Sequence, residues 1–403
     1  MNALFTIAML ELFLGGGGRL LDVGPLTIRM VLFSLCLSAS ALYAATRTRK
    51  SDGSALAVAL VAAYLVVHLG ALVNGVLVGA DIGVMLTEMQ QSLYWLAAPF
   101  IAMTLQSPHM VQRAADLVRI AGVVLAVLYL LTVLALAAGL VDYLGLYAVL
   151  GESSEFSFRG ESYFFYKGFL FLGIAAVFFI AVDTRHARWL AILVVAAMVL
   201  TLTRGFVLST SVAVLLMLVA QRRWKLLGIA TVAVLVAAFV VWGYLPSLEE
   251  GLDGQRESSN LQRLEDFGFI FERLDVRTVL LGQGLGVPVG ERANIENTFL
   301  WAFWRLGLFG VLFWLAPLVL CLTYYSRVWR GGRDHRLASA FAFGAVLVYV
   351  QTLSNPYLNN PIGLSYVLVA LFALRTLSRR APPTVSWRYP PLAVAKAPAP
   401  LVT

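Results

Sequence analysis

The sequence predicts an all-α, polytopic membrane protein of about 12 transmembrane helices, and three observations carry that prediction. Apolar residues make up 60% of the 403-residue chain and charged residues only 13%, about half the charged share of an average soluble domain. Mean hydropathy is +0.83. Most apolar runs are roughly 16–22 residues long, the length a helix needs to cross a hydrocarbon core ~30 Å thick. Alternating segments of the kind that build a membrane β-barrel are not seen.

The expected spans lie at roughly 2–14, 26–45, 54–73, 84–105, 117–138, 163–182, 189–203, 205–220, 226–245, 307–326, 337–353 and 361–377. The first is short and ends at Gly15-Gly16-Gly17-Gly18. It lacks a basic n-region and a small-residue cleavage site, so it is expected to be a retained span and not a signal peptide. Spans seven and eight are separated by little more than Arg204-Gly205, which predicts a tight hairpin or a broken helix. Cys36 and Cys321 both lie in apolar runs, which argues against a disulfide framework or a cysteine metal site.

Orientation follows from the basic residues. One set of connections carries Arg47, Arg49, Lys50, Arg113, Arg119, Arg185, Arg188, Arg222, Arg223, Lys225, Arg327, Arg330, Arg333 and Arg336. The opposite short connections, near 74–83 and 354–360, carry none. Both termini are therefore expected in the cytoplasm. The net charge of +8 is mostly this asymmetry, and no nucleic-acid signature accompanies it. One membrane domain is expected over 1–380. The proline-rich remainder, 381–403, is expected to be a disordered cytoplasmic tail.

That topology places the one long polar interval, 246–306, on the outer face, between spans nine and ten. Within it, Leu261, Leu264, Phe267 and Phe271 recur at helical spacing, predicting an amphipathic helix over 260–272 that lies along the membrane surface. The run Gly282-Gln283-Gly284-Leu285-Gly286 follows. No helix after it carries the Lys-Ser/Thr of a nucleotide site, so the glycines are expected to permit a tight turn or a close backbone approach.

Charges near membrane depth are costly and each calls for a reason. Arg204 sits between two apolar runs with no acidic residue near it in sequence. It either snorkels to the interface, pairs with a distant carboxylate, or binds an anion, since guanidinium grips phosphate bidentately. Arg159 stands beside Glu161, which can neutralise it, while Arg29 and Lys167 lie close enough to span ends to snorkel. Several arginines converging on one outer cavity would bind a diphosphate. Glu296 and Asn297 precede an aromatic-rich helix start. Asn297 can cap that helix, and Glu296 can accept a proton from a sugar hydroxyl. His109, His186 and His335 fall in cytoplasmic connections, and His68 is expected to be a packing residue within span three. No metal-ligand cluster and no Ser-His-Asp arrangement is supported.

Taken in order, these motifs resemble the superfamily of O-antigen ligases and Wzy-type O-antigen (exopolysaccharide) polymerases. They are Thr201-Leu202-Thr203-Arg204-Gly205, Asn260-Leu261-Gln262-Arg263-Leu264, the glycine run, Glu296-Asn297-Thr298-Phe299-Leu300 and Leu306-Gly307-Leu308-Phe309-Gly310. The resemblance implies an inverting, nucleotide-independent glycosyltransferase of the bacterial inner membrane, facing the periplasm and needing no cofactor. Its substrates would be donor and acceptor glycans on undecaprenyl diphosphate, with membrane lipid around it and a chain-length regulator protein as a further partner class. By the same resemblance Arg204 and Arg263 hold the diphosphate, with Arg159 as a third candidate. Arg273 followed by Gly284 matches the Arg-x10-Gly spacing of the family. Ligases of this family carry histidine where this chain has Glu296, so polymerisation of repeat units is expected ahead of ligation to lipid A-core. A lipid-linked sugar transporter would use the same arginines without chemistry, but no internal repeat supports it.

Overall fold

The computed structural model of the chain describes residues 1–18, 22–23, 26–46, 52–151, 155–159, 163–182, 184–249, 253–290, 292, 295–331 and 335–379. The expected tail, 381–403, lies outside the described residues, as do Glu161 and the side chain of Arg159.

The described chain is helical except for two short hairpins. It begins with α1 (Asn2–Leu14), the hairpin of β1 (Asp22–Val23) with β2 (Leu26–Thr27), α2 (Ile28–Thr46) and α3 (Asp52–Val78). Next come α4 (Ile82–Ser92), a 3-10 turn at Leu93–Ala97, α5 (Ala98–Thr104), α6 (Pro108–Ala137) and α7 (Tyr143–Leu150). The second hairpin pairs β3 (Phe156–Arg159) antiparallel with β4 (Tyr163–Tyr166). Then follow α8 (Leu170–Val182), α9 (Arg185–Leu200), α10 (Arg204–Ala220), α11 (Trp224–Glu249), α12 (Asp253–Glu272) and α13 (Val276–Leu281). The chain closes with α14 (Thr298–Arg330), α15 (Arg336–Gln351) and α16 (Pro361–Ser378).

Among the described residues, five helices are long and apolar enough to cross a membrane: Ile28–Thr46, Ser54–Val78, Pro108–Ala137, Thr298–Arg330 and Pro361–Ser378. Shorter apolar helices accompany them. Helices α8, α15 and α16 form the centre, with nearly every residue buried. The flanks of α2, α3 and α6 instead expose Leu42, Val66, Leu77 and Leu134. On a soluble protein such a surface would be an adhesive patch, whereas here it is the face that lipid covers.

The expected boundaries shift where the backbone has a local reason. Span four is not one helix, because a 3-10 turn and Pro99 divide it into α4 and α5. Residues 163–166, expected at the start of span six, are instead the aromatic strand β4. Span seven ends at Leu200, since Leu202 takes a left-handed backbone (φ 50°) that no helix continues through. Helix α14 begins at Thr298, but Gly307 (φ 67°, ψ −163°) breaks it close to the predicted start of span ten.

That break frees the carbonyls of Trp304 and Arg305 from their helical partners, and the glycine run supplies the missing donors. Gln283 N–H donates to Trp304 O (2.7 Å) and Gly284 N–H to Arg305 O (3.1 Å). Leu285 N–H reaches Ala71 O on α3 (3.0 Å), and Asn74 Nδ2 donates to Gly282 O (2.8 Å). Gly284 must be glycine here: its φ is +102°, and a Cβ would stand 2.2 Å from Gly75 N. The crossover is clamped by a buried ion pair. Arg305 Nη2 lies 2.7 Å from Glu88 Oε1, with side-chain exposures of 0% and 6%. Arg305 Nε, Trp301 Nε1 and Gly286 N–H also donate to Glu88. Arg305 is thus a structural residue. A second such pair, Arg29 with Glu11 (2.9 Å), joins α1 and α2.

Replacing Arg305 by Met should leave the Glu88 carboxylate buried and unpaired, at a cost of roughly 3–5 kcal/mol. Unfolding in detergent micelles checks this, and adding Glu88→Gln to Arg305→Met should recover part of the loss. An unchanged melting temperature for Arg305→Met would rule the clamp out.

Candidate active site

Three polypeptide ends meet beside the turn between α15 and α16. The first is the start of α10. Thr201 and Thr203 are buried, the former with its hydroxyl on Met198 O (2.7 Å), and the turn they form leaves Arg204 exposed at the first helical position. The second is α12, which presents different chemistry on adjacent faces. Asp266 and Ile270 are buried against the body of the protein, while Leu261, Leu264, Phe267 and Phe271 are exposed. The predicted apolar stripe thus exists and points away from the protein. The third is the start of α14, where Asn297 Oδ1 accepts the N–H groups of Phe299 and Leu300.

Two of the predicted site residues are in direct contact. Arg263 Nη2 lies 2.7 Å and Nε 3.0 Å from Glu296 Oε2, both groups being partly open to solvent. Arg263 Nη2 also donates to the carbonyl of Ser354 (3.2 Å). Arg204 joins this group through its neighbour: a Cβ on Gly205 would stand 3.2 Å from Ser354 Oγ and 2.9 Å from Gln351 Nε2. Ser354 therefore lies beside both the α10 start, which Arg204 opens, and the Arg263–Glu296 pair.

Asn297 does what its position predicts as a cap: it terminates α14 and fixes the residue before it, Glu296. Arg159 lies at the far end of the β3–β4 hairpin. The near end of that hairpin packs at the α10 start, with Phe165 stacked on Phe206 (5.5 Å) and Tyr357 Oη donating to Lys167 O (3.2 Å). Arg273 is not brought in. It is ten residues, about 15 Å, along α12 from Arg263, and its guanidinium covers the Phe269 ring at 3.6 Å. Stacking on its own helix accounts for it. His68 is the packing residue expected, its Nδ1 3.0 Å from Tyr64 O within a cage of Tyr64, Phe313 and Trp314 rings.

Sequence reasoning missed two groups. Arg292 holds the Arg263 turn of α12, with Nη2 2.8 Å from Asp266 Oδ1, 3.5 Å from Glu265 Oε2 and 3.0 Å from Gln262 O. Burial pushes the Asp266 carboxyl above the usual carboxylate range; Arg292 pulls it back, and Glu296 and Glu265 add to the rise. The second group is Gln351-Thr352-Leu353-Ser354-Asn355. Its signal was present as a run of amides and hydroxyls between two apolar spans, but pattern alone does not say what such a run touches.

The fold and the site together define the class: a helical membrane protein with the Arg263–Glu296 pair and the start of α10 gathered at the α15–α16 turn. No protein-family model matches the chain. An O-antigen polymerase of Shigella flexneri is 27% identical over 381 residues, covering 92% of this chain and 94% of the relative. The likeness runs over nearly the full length of both chains, so the O-antigen polymerase is similar to this protein throughout and not in one segment alone.

Asn297→Ala should lower stability by about 1 kcal/mol through loss of the cap, and Asn297→Asp should restore it. Denaturant unfolding of the detergent-solubilised variants decides the matter. Equal stability of the alanine variant and the parent would show that the cap contributes nothing.

Proposed function

We propose that this protein polymerises undecaprenyl-diphosphate-linked oligosaccharide repeat units on the periplasmic side of the bacterial inner membrane. The product is an O-antigen, capsule or exopolysaccharide. The observation that carries the reading is the contact of Arg263 with Glu296 and Ser354, beside the start of α10 that Arg204 opens. The name of the Shigella flexneri relative, an O-antigen polymerase, supports the polymerase over the ligase, as does the carboxylate at position 296. In the topology that goes with this reading, the chain crosses the membrane twelve times with both termini in the cytoplasm. Segment 246–306 is then periplasmic, and the exposed stripe of α12 rests on the outer leaflet.

In the reaction, a hydroxyl of one repeat unit attacks the anomeric carbon of the donor chain. The new C–O bond forms as the bond to the diphosphate breaks, with inversion at carbon, and undecaprenyl diphosphate leaves carrying the electron pair. Arg204 and Arg263 neutralise the charge that grows on the leaving oxygen, which is where fixed cations lower a barrier most. Before donor binds, Arg263 is held by Glu296. The diphosphate, with its greater negative charge, draws Arg263 to itself and frees Glu296 Oε2 to take the proton of the attacking hydroxyl. Asn297 is a positioning residue that holds Glu296 through the helix cap, and Arg292 positions Arg263 through α12.

With purified protein and lipid-linked repeat units, Arg204→Ala and Arg263→Ala should each lower polymerisation by roughly 100-fold or more. Lysine at either position should recover only part, since it supplies charge without the bidentate fork. Glu296→Gln should lower the rate by on the order of 100-fold. Arg273→Ala should stay close to the parent rate. Full polymerisation by folded Arg204→Ala and Glu296→Gln variants would defeat the mechanism. Cells lacking the protein should accumulate single lipid-linked repeat units; finished, unligated polymer would instead identify a ligase.

A further inference from the structure

The turn from Gln351 to Asn355 touches every element of the proposed site, and no charge in it accounts for that. Gln351 is buried. Its Oε1 accepts from Ser209 Oγ on α10 (2.9 Å) and its Nε2 faces Ser354 Oγ (3.5 Å). Thr352 is buried as well: its carbonyl accepts the N–H of Thr298 on α14 (3.4 Å), and its hydroxyl accepts Leu358 N–H (3.1 Å). Ser354 O holds Arg263 of α12. Asn355 Nδ2 donates to Ser354 Oγ (3.4 Å), and that hydroxyl donates to Gln351 O (3.1 Å).

Burying a side-chain amide at a helix end is unfavourable unless its hydrogen bonds are satisfied, and a satisfied one holds its neighbours in a single arrangement. Gln351 does this for α10 and Ser354. At the surface the same network ends in a hydroxyl and an amide, Ser354 and Asn355, that are only partly buried. They are uncharged, so they add nothing to diphosphate binding. The Ser354 hydroxyl is committed within the network, donating to Gln351 O and accepting from Gln351 and Asn355. It so holds the Asn355 amide, whose Oδ1 and second N–H are groups of the kind that recognise a neutral polyol. Ser354 and Asn355 lie beside the start of α10 and next to the carbonyl that holds Arg263, within reach of a sugar attached to a diphosphate on that arginine.

We propose that Asn355, held by Ser354, forms a carbohydrate-binding subsite for the sugar next to the diphosphate, and that Gln351 is the positioning residue that holds this subsite beside Arg263 and the start of α10. The proposal rests on the diphosphate reading of Arg204 and Arg263. It adds a residue that recognises the glycan independently of the lipid carrier. Specificity for the repeat unit then arises partly from this turn.

The test uses full-length protein in nanodiscs and two probes: undecaprenyl diphosphate alone and an undecaprenyl-diphosphate-linked repeat unit. Ser354→Ala and Asn355→Ala should weaken binding of the glycan-bearing probe roughly three- to tenfold each, the value of a lost neutral hydrogen bond, and leave the bare carrier unaffected. Arg204→Ala and Arg263→Ala should weaken both probes. Gln351→Leu should raise KM for the lipid-linked unit together with a fall in kcat, and Gln351→Glu, which keeps the acceptor for Ser209, should recover part of both. Circular dichroism and a melting curve confirm that each variant is folded. Equal loss of both probes in the Ser354 and Asn355 variants, or loss of neither, overturns the subsite. Full binding of both probes by the arginine variants overturns the diphosphate reading instead.

Discussion

The buried pair of Glu88 with Arg305 is the interaction on which the rest of the arrangement depends. Two opposite charges in an apolar interior stay there only if each is matched, and Glu88 is matched several times over, by Arg305, by Trp301 and by the N–H of Gly286. One carboxylate thereby joins α4, the first segment of α14 and the glycine run. The break at Gly307 leaves two carbonyls for that run to satisfy. The start of α14 is held from below by this clamp and from its end by the Asn297 cap, so Glu296 is presented from a rigid platform.

The site itself is built differently. Its charged groups come from three separate stretches, and residues elsewhere in the chain tie those stretches together. Arg292 fixes the α12 turn that carries Arg263, and the α15–α16 turn ties α10, α12 and α14 together. The Arg263–Glu296 pair has the character of a resting contact. It is partly open to solvent, where an ion pair is worth little, so a ligand with more negative charge can exchange into it. A pair buried as deeply as Glu88 with Arg305 could not exchange in this way. The two arginine–glutamate contacts thus serve opposite ends, one structural and one replaceable, and burial separates them.

Helix α12 carries both part of the site and an exposed apolar stripe. Its buried face carries Asp266 and Ile270, and its exposed face carries Leu261, Leu264, Phe267 and Phe271. Arg263 lies at the boundary of the two. On the proposed function, a helix resting on lipid through that stripe would hold its arginine at head-group depth, within reach of a membrane-anchored carrier. The exposed Val276 and Leu281 of α13 and Leu308 and Phe309 of α14 extend the same apolar surface.

Composition alone determined the helical membrane class, because lipid admits few backbone solutions and a 60% apolar chain has few others. The α12 stripe and the break between α9 and α10 were also legible, since each follows from residues close together in sequence. So was the structural purpose of the glycines. Which arginines act was not. Arg204, Arg263, Arg273 and Arg305 look alike in the sequence, all of them cations beside apolar runs. Only the folded chain sorted them: Arg305 into a buried clamp, Arg273 onto the ring of Phe269, and Arg263 onto Glu296. The turn at 351–355 went unread for the same reason. Its partners lie between 54 and 142 residues away on three other helices, and contacts at that range are set by packing, which no local pattern records.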